Sequence, residues 1–407
     1  MTGQAVVIVG AGTAGHHVAG RLRDNGFEGS VTLIGAEPHL PYHRPPLSKA
    51  YLAGATPRER LGLRSPEYYV DHAVTTRVGV SVEAIDREGR RIALDDGTAV
   101  GYDCLVLAPG ASPRQIDLPG RDLRGVVELR TCDDADRLRE HLHEGRRVVV
   151  VGGGFIGLEV AAAARKRGAS VTVLEAMPAL MTRALSGTTA RLLADTHASY
   201  GVRISCTTSV VELVGEDGQV SEVVTSSGER LPADAVVLGV GVVPNTSLAA
   251  DAGLTTGDGV VVDDRLRTAD PAVFAVGDCA SFPDGRGAQL RLESVQNAVD
   301  QAHYVADRIC SDSDAGPYRA VPYFWTDQYD TKLQIVGYTR HDDHTVVRGG
   351  SERHSVFRFA DGELAAVESI NDPSTHLAVR RILAGGGTVS IDQATGDTDL
   401  RALARSV

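Results

Sequence analysis

The 407-residue sequence has no long hydrophobic run, few cysteines and no excess of positive charge, and each absence removes a class of function. Its longest apolar stretch, around Ala233–Val243, is far short of the ~20 residues that cross a bilayer. Five cysteines (Cys104, Cys132, Cys206, Cys279 and Cys310) are odd in number, scattered, and never spaced as Cys-x-x-Cys. That pattern argues against a disulfide framework and a zinc site, and it suits a reducing cytoplasm. The thirteen histidines contain no His-Glu-x-x-His and no tight ligand cluster, so no metal site is expected. His16 and His17 are read as packing residues of the first helix with no chemistry, and Asp95–Asp96 and Asp342–Asp343 as turn acids. Lysine and arginine number 41 against 53 acids, a net charge of −12, which disfavours nucleic acid and anionic membranes as partners. The apolar start, Ala5–Val9, has no basic leader and runs straight into a glycine turn, so a first strand is expected there and not a signal peptide. What remains is ordinary globular composition, 43% hydrophobic and 23% charged, at a length that implies two to four domains.

Two segments share one design. The first runs strand Ala5–Val9, turn Gly10-Ala11-Gly12-Thr13-Ala14-Gly15, helix to about Asn25, strand Val31–Ile34, then the acid Glu37. The second runs strand Arg147–Val151, turn Gly152-Gly153-Gly154-Phe155-Ile156-Gly157, helix to about Arg167, strand Ser170–Leu174, then the acid Glu175. Fully apolar strands are what a parallel sheet covered on both faces requires. A lone glycine-rich turn is weak evidence, but here each follows an apolar strand, opens a helix and precedes an acid by about twenty residues. The first glycine makes the turn, the second lets a pyrophosphate approach the backbone, and the third lets helix and strand pack closely. Two dinucleotide sites follow, one for a resident flavin dinucleotide and one for a nicotinamide dinucleotide. Glu37 and Glu175 would each accept from a ribose diol; the alternative for either is a solvated strand end. An acid at 175 repels a ribose phosphate and so favours NADH over NADPH, while Arg183 nearby could pair with such a phosphate.

Elsewhere the pattern predicts a Pro-rich polar loop at Pro38–Ser48 and a short strand ending at Leu107. A charged helix is expected near Asp133–His143, alternating stretches at Val210–Thr225, a strand at Val273–Val276 and a helix from Ser294 to Ile309. From 319 to 370 apolar and polar positions alternate (Lys332–Val336, Thr345–Arg348, Ser355–Phe359, Leu364–Ser369), followed by a helix over Thr375–Leu383 and a loop over 385–398. That end reads as a separate antiparallel α+β domain.

Five segments carry a resemblance. They are Pro41-Tyr42-His43-Arg44-Pro45-Pro46-Leu47-Ser48-Lys49, the turn Gly152–Glu159, Phe274-Ala275-Val276-Gly277-Asp278-Cys279-Ala280, Leu292–Ala298 and Phe324-Trp325-Thr326-Asp327-Gln328-Tyr329. In order, and over nearly the whole chain, the sequence resembles the FAD-dependent NADH:ferredoxin reductases of bacterial oxygenase systems, the putidaredoxin reductase type; rubredoxin reductases and apoptosis-inducing factor are relatives. The resemblance implies that Gly12, Ala14 and Gly15 face the FAD pyrophosphate, with Glu37 on the ribose and Arg44 near the phosphates. It puts Lys49 beside the flavin ring, paired with Glu159, as the catalytic pair. Val82 and Arg130 would line the FAD site, Asp278 would hold the ribityl chain, Val295 would present its backbone to the pyrimidine edge, and Trp325 would lie near the ring. For Trp325, core packing is the alternative. Gly152, Gly154, Ile156, Gly157, Glu175, Arg183 and Gly241 would serve the NAD site. Where the family usually has threonine, this chain has Pro109, which offers neither N–H nor hydroxyl.

The resulting expectation is an α/β protein of the glutathione-reductase type: an FAD-binding domain at 1–111 and 245–318, an NAD-binding domain at 112–244 and a C-terminal α+β domain at 319–407. It would be a cytoplasmic flavoprotein oxidoreductase, monomer or homodimer, passing electrons from NADH through FAD to a 2Fe–2S ferredoxin that serves an oxygenase such as a cytochrome P450. Because acidic ferredoxins meet an acidic chain, docking would be transient and electrostatic, through Arg64, Arg291, Arg380 and Arg381. The rival readings are an NADH oxidase, a rubredoxin reductase, and a NADH-responsive flavoprotein of the apoptosis-inducing-factor kind.

Overall fold

Ala5–Val9, and Arg147–Val151 after its leading exposed arginine, are runs of β-branched and small apolar residues, and both become central strands of parallel sheets. The computed structural model describes residues 3–284, 287–311, 316–319, 321–338 and 344–407. The chain forms two compact units: Met1–His43 with Glu59–Ser112 and Val242–Ala320, and Arg44–Arg58 with Pro113–Gly241 and Val321–Val407.

In the first unit five parallel strands lie in the order Val273–Ala275, Cys104–Leu107, Ala5–Val9, Ser30–Gly35, Val74–Val78. The helix Thr13–Asp24 returns between the first two strands in sequence and packs against the helix Val295–Cys310, burying Val18, Leu22, Ala302 and Val305. His16 is buried in that layer, its Nδ1 2.9 Å from the Tyr69 hydroxyl, as a packing residue. A three-stranded antiparallel sheet, Val82–Asp86, Arg91–Leu94 and Ala99–Gly101, adjoins; its second turn is closed by Asp96, whose carboxylate accepts from the Thr98 amide at 2.9 Å. Asp342–Asp343 lie outside the described residues.

The second unit repeats the parallel order with Arg203–Ser205, Ser170–Leu174, Arg147–Val151, Ala235–Leu238 and Val126–Val127. The alternating stretch at 210–225 is a hairpin, Val210–Glu216 with Gln219–Thr225. The terminal segment forms a five-stranded antiparallel sheet in the order Tyr323–Gln328, Thr331–Gly337, Glu363–Ile370, His354–Ala360, His344–Gly349, backed by the helix Pro373–Ala384. Two expectations need correction. The charged helix is shorter, Cys132–Arg139, and starts on a Thr131–Asp134 capping box. The 385–398 loop contains a helix, Ile391–Thr395, opened by a Ser390–Gln393 capping box and pinned by the buried Ala394.

Within this unit the terminal sheet is joined to the helix Gly187–Ser199 through one buried carboxylate. Glu368 is fully buried and accepts from the Ser186 amide at 2.7 Å, the Ser186 hydroxyl at 2.6 Å, the Thr189 hydroxyl, and the Arg358 guanidinium at 2.9 Å. Four donors satisfy the buried charge, which otherwise would oppose folding.

Candidate active site

The two glycine turns are built alike, down to what a side chain would strike. Gly10 and Gly152 have φ of +115° and +107°, and a Cβ would stand 2.0 Å from the Ala108 carbonyl oxygen and 2.3 Å from that of Gly239. At Gly15 and Gly157 a Cβ would lie 1.9 Å and 2.1 Å from the carbonyl oxygens of Gly10 and Gly152, so only glycine lets each helix sit on its strand. The middle glycines differ: a Cβ at Gly12 or Gly154 would meet nothing within 4 Å. These two residues are the N-caps of their helices, neither cap supplies a side-chain acceptor, and neither first turn carries an acid. Helix amides and the positive end of the dipole are thus open at a glycine with free space beside it, which fits a pyrophosphate.

Both acids stand at their strand ends. Glu37 is half-buried and its carboxylate accepts from the Tyr42 hydroxyl. Glu175 is held at both oxygens, by the Gly153 amide at 2.6 Å and the Met177 amide at 2.8 Å. Its carboxylate is therefore fixed against the second turn.

In the same unit as that turn, Lys49 Nζ lies 2.6 Å from Glu159 Oε1. Lys49 ends the short 3-10 helix Pro45–Ser48, and Glu159 is the fifth residue of the helix Phe155–Lys166. Glu159 is 3% exposed. Two hydroxyls complete its shell: Thr326 donates to Oε1 at 2.6 Å and Ser48 donates to Oε2. Three donors on one buried carboxyl group hold the Lys49 ammonium in a fixed place. Ser48 and Thr326 lie inside two of the recognisable segments, where nothing in their own spacing marks them as partners of Glu159. On the strand Tyr323–Gln328, Thr326 and Gln328 are each 1% exposed, two polar residues on one buried face, while Asp327 between them is exposed on the other and Trp325 before them is half-buried.

The model of the pyridine nucleotide-disulphide oxidoreductases matches residues 4–302, and that of the reductase C-terminal domain matches 323–404. The chain belongs to the pyridine nucleotide-disulphide oxidoreductase family. It is 47% identical to rhodocoxin reductase of Rhodococcus erythropolis over 97% of this chain and 92% of that one. Among solved structures, the ferredoxin reductase for the CYP199A2 system of Rhodopseudomonas palustris superposes with a TM-score of 0.95 at 43% identity, covering 98% of this chain and all of the other. A covalent putidaredoxin reductase–putidaredoxin complex gives 0.95 at 36% identity, with both chains fully covered. The resemblance and the glutathione-reductase-like fold read from the sequence are borne out. The protein is an NAD(P)H-dependent flavoprotein oxidoreductase that uses FAD and NAD(P)H, and the two turns above fit such dinucleotides.

The remaining candidate residues of this oxidoreductase fall in both units. In the first, Val82 is half-buried on the strand Val82–Asp86. Asp278 lies in the 3-10 turn Gly277–Cys279 that follows the edge strand. Val295 is the first residue of its helix, whose Ser294 cap accepts from the Asn297 amide at 3.1 Å. Pro109 leaves its turn intact, with Gly110 at φ +69° and the Asn245 amide group donating to the Pro109 carbonyl at 2.9 Å. In the second unit, Arg44 donates to the Arg130 carbonyl at 2.8 Å. Trp325 lies beside Phe324 and Tyr323, and Ile156 and Arg183 are exposed. Gly241, at φ +98°, accepts from the Arg114 amide at 2.9 Å. Despite the family's name, none of the five cysteines is in a disulfide, and burial pushes the Cys104 and Cys279 thiols up to about 12. The four docking arginines are not equivalent. Arg291 is bound by Glu293 at 2.7 Å and Asp258 at 3.0 Å, with its side chain 10% exposed, so it offers no free positive charge. Arg380 stacks over the Tyr323 ring at 4.0 Å, while Arg64 and Arg381 are exposed.

No helix among the described residues is long and apolar enough to cross a membrane.

Proposed function

We propose that this oxidoreductase passes electrons from NADH through FAD to a 2Fe–2S ferredoxin that serves an oxygenase such as a cytochrome P450, in the cytoplasm. The observation that carries the reading is its end-to-end likeness, at 47% and 43% identity, to rhodocoxin reductase and to the reductase of a P450 system. We assign the FAD-binding domain to 1–111 and 245–318, the NAD-binding domain to 112–244, and the terminal domain to 319–407. FAD, when bound, would supply the chemistry that links two-electron hydride transfer to one-electron release; the protein supplies position and charge.

In this reading Gly12, Ala14 and Gly15 receive the FAD pyrophosphate on the open helix start, Glu37 takes the ribose diol, and Arg44 neutralises phosphate. Val82, Arg130, Asp278, Val295 and Trp325 complete the flavin's surroundings. Gly152, Gly154, Ile156 and Gly157 receive the nicotinamide dinucleotide, with Glu175 on its ribose and Arg183 and Gly241 at the rim. Lys49 would offer a positive charge to bound flavin, whose reduced form such a charge stabilises, and Glu159 keeps the ammonium from swinging away. Ferredoxin docks transiently on exposed arginines, with the enzyme a monomer or homodimer.

The test is NADH-driven turnover with a panel of 2Fe–2S ferredoxins, rubredoxin and oxygen. At least one ferredoxin is expected to raise turnover well above the oxygen background; if none does, the ferredoxin assignment fails and an oxidase replaces it. Lys49→Met is expected to slow flavin reduction by roughly ten- to thousand-fold in stopped flow while FAD stays bound. Reduction at the wild-type rate removes Lys49 from the site.

A further inference from the structure

Glu159 is the end of a longer chain of polar groups. Thr326 Oγ1, which donates to Glu159, lies 3.1 Å from Gln328 Nε2, and Gln328 Oε1 lies 2.8 Å from His197 Nε2. Thr326, Gln328 and His197 are each at most 1% exposed, on the strand Tyr323–Gln328 of the terminal sheet and the helix Gly187–Ser199. The ring of His197 meets the edge of Tyr329 at 5.1 Å between centroids, and Tyr329 is stacked on Tyr200 at 3.8 Å. Among the described residues, the other ring nitrogen, Nδ1, has no partner.

The direction of this chain is dictated from its Glu159 end. A carboxylate paired with Lys49 can only accept, so the Thr326 hydroxyl must give it its proton. That hydroxyl's lone pair then takes the Gln328 N–H, which turns the amide oxygen towards His197. His197 must therefore carry its proton on Nε2 and leave Nδ1 bare. A flipped amide or the other tautomer would set two donors or two acceptors face to face inside the protein. Burial lowers the basicity of the ring, against the opposing pull of the Gln328 hydrogen bond, and so favours this neutral form.

We propose that Thr326, Gln328 and His197 are positioning residues for the active site: a one-way hydrogen-bond relay that fixes the Glu159 carboxylate and, through it, the Lys49 ammonium. The relay anchors a group at the heart of the reaction to the terminal domain. The proposal rests on the assignment of Lys49 and Glu159 to the site, so its test separates the two.

The first measurement needs no turnover. In holoenzyme carrying ¹⁵N-labelled histidine, His197 is expected to show a protonated Nε2 and a bare Nδ1 at pH 8; a proton on Nδ1 with Nε2 bare overturns the relay. The second is flavin reduction by NADH in stopped flow. Thr326→Val removes the donor while keeping the strand's shape, and it is expected to lower the limiting rate about ten-fold, the worth of one hydrogen bond to a charge. Thr326→Ser restores most of that rate, and Thr326→Val added to Glu159→Gln costs little more than Glu159→Gln alone. Gln328→Met, nearly isosteric, cuts the chain one link further out and is expected to slow reduction less; it stands in if Thr326→Val fails to fold. If Glu159→Gln and Lys49→Met are slow but the Thr326 and Gln328 variants run at the wild-type rate, the relay is overturned alone. If all four run at the wild-type rate, the assignment of the pair falls with it.

Discussion

Glu175 spends both carboxylate oxygens on main-chain amides of the second turn and its own loop, so its charge cannot rotate away from an incoming ribose. A ribose phosphate brought there meets a fixed negative charge. We expect catalytic efficiency with NADH to exceed that with NADPH by about ten-fold or more, and Glu175→Ala to narrow the gap mainly by improving NADPH. Equal efficiency in the wild type excludes Glu175 from ribose selection. At this scale, residues that end a repeated pattern were legible. Glu37 and Glu175 stand where strand and turn spacing put them, and Lys49 and Glu159 lie in recognisable segments. Ser48 and Thr326 were not legible as partners of Glu159. They reach it from 111 and 167 residues away, and local periodicity carries no record of such a meeting.

Elements followed their sequences where most of a strand is buried. Ala5–Val9, Arg147–Val151 and Ser170–Leu174 have the bounds that their apolar runs predict, because a fully covered strand leaves no polar ambiguity. The helix Ile391–Thr395 was hidden because a single buried alanine and a capping box hold it, too little for a period to show. The first helix makes a prediction of its own. Burial, and then the positive charges that His17, Arg64 and His43 can present, lower His16 to about 3; His17 falls to about 4 by burial and by His303, Arg64 and His43. The unfolded chain therefore binds more protons than the folded one between about pH 6.5 and pH 3, and stability is lost as pH falls through that window. At pH 5 the loss from His16 is on the order of 2 kcal/mol. We expect His16→Asn, which keeps an acceptor for the Tyr69 hydroxyl, to narrow the difference in melting temperature between pH 7.5 and pH 5. An unchanged difference rules out His16 as a source of acid lability.

The whole molecule carries −12, so a like-charged carrier is repelled except where cations stand exposed. Arg291 is neutralised by two acids, which leaves Arg64, Arg380 and Arg381 as the sequence's candidates for steering. Steering acts on encounter and fades as the Debye length shortens from about 8 Å at physiological ionic strength. We expect ferredoxin reduction to fall steeply with salt while flavin bleaching by NADH changes little. Arg381→Glu is expected to raise KM for ferredoxin without slowing bleaching. Parallel salt titrations of the two reactions decide this; equal salt dependence places the charge effect at the NADH step instead. Overall charge was readable from composition, but which arginines are free was not, because Arg291 meets Asp258 only in the folded chain. The joint at Glu368 bears on how such reductases can be recombined. Grafting the terminal sheet of one onto the body of another, to redirect its electrons to a foreign oxygenase, carries Glu368 and Arg358 across but leaves Ser186 and Thr189 behind. A recipient with apolar side chains at those two positions would bury the carboxylate with half its donors missing, at a cost of several kcal/mol. The hybrid would be lost as aggregated protein before its choice of carrier could be measured. A workable graft moves the seam upstream of Ser186, so that both faces of the joint come from one parent.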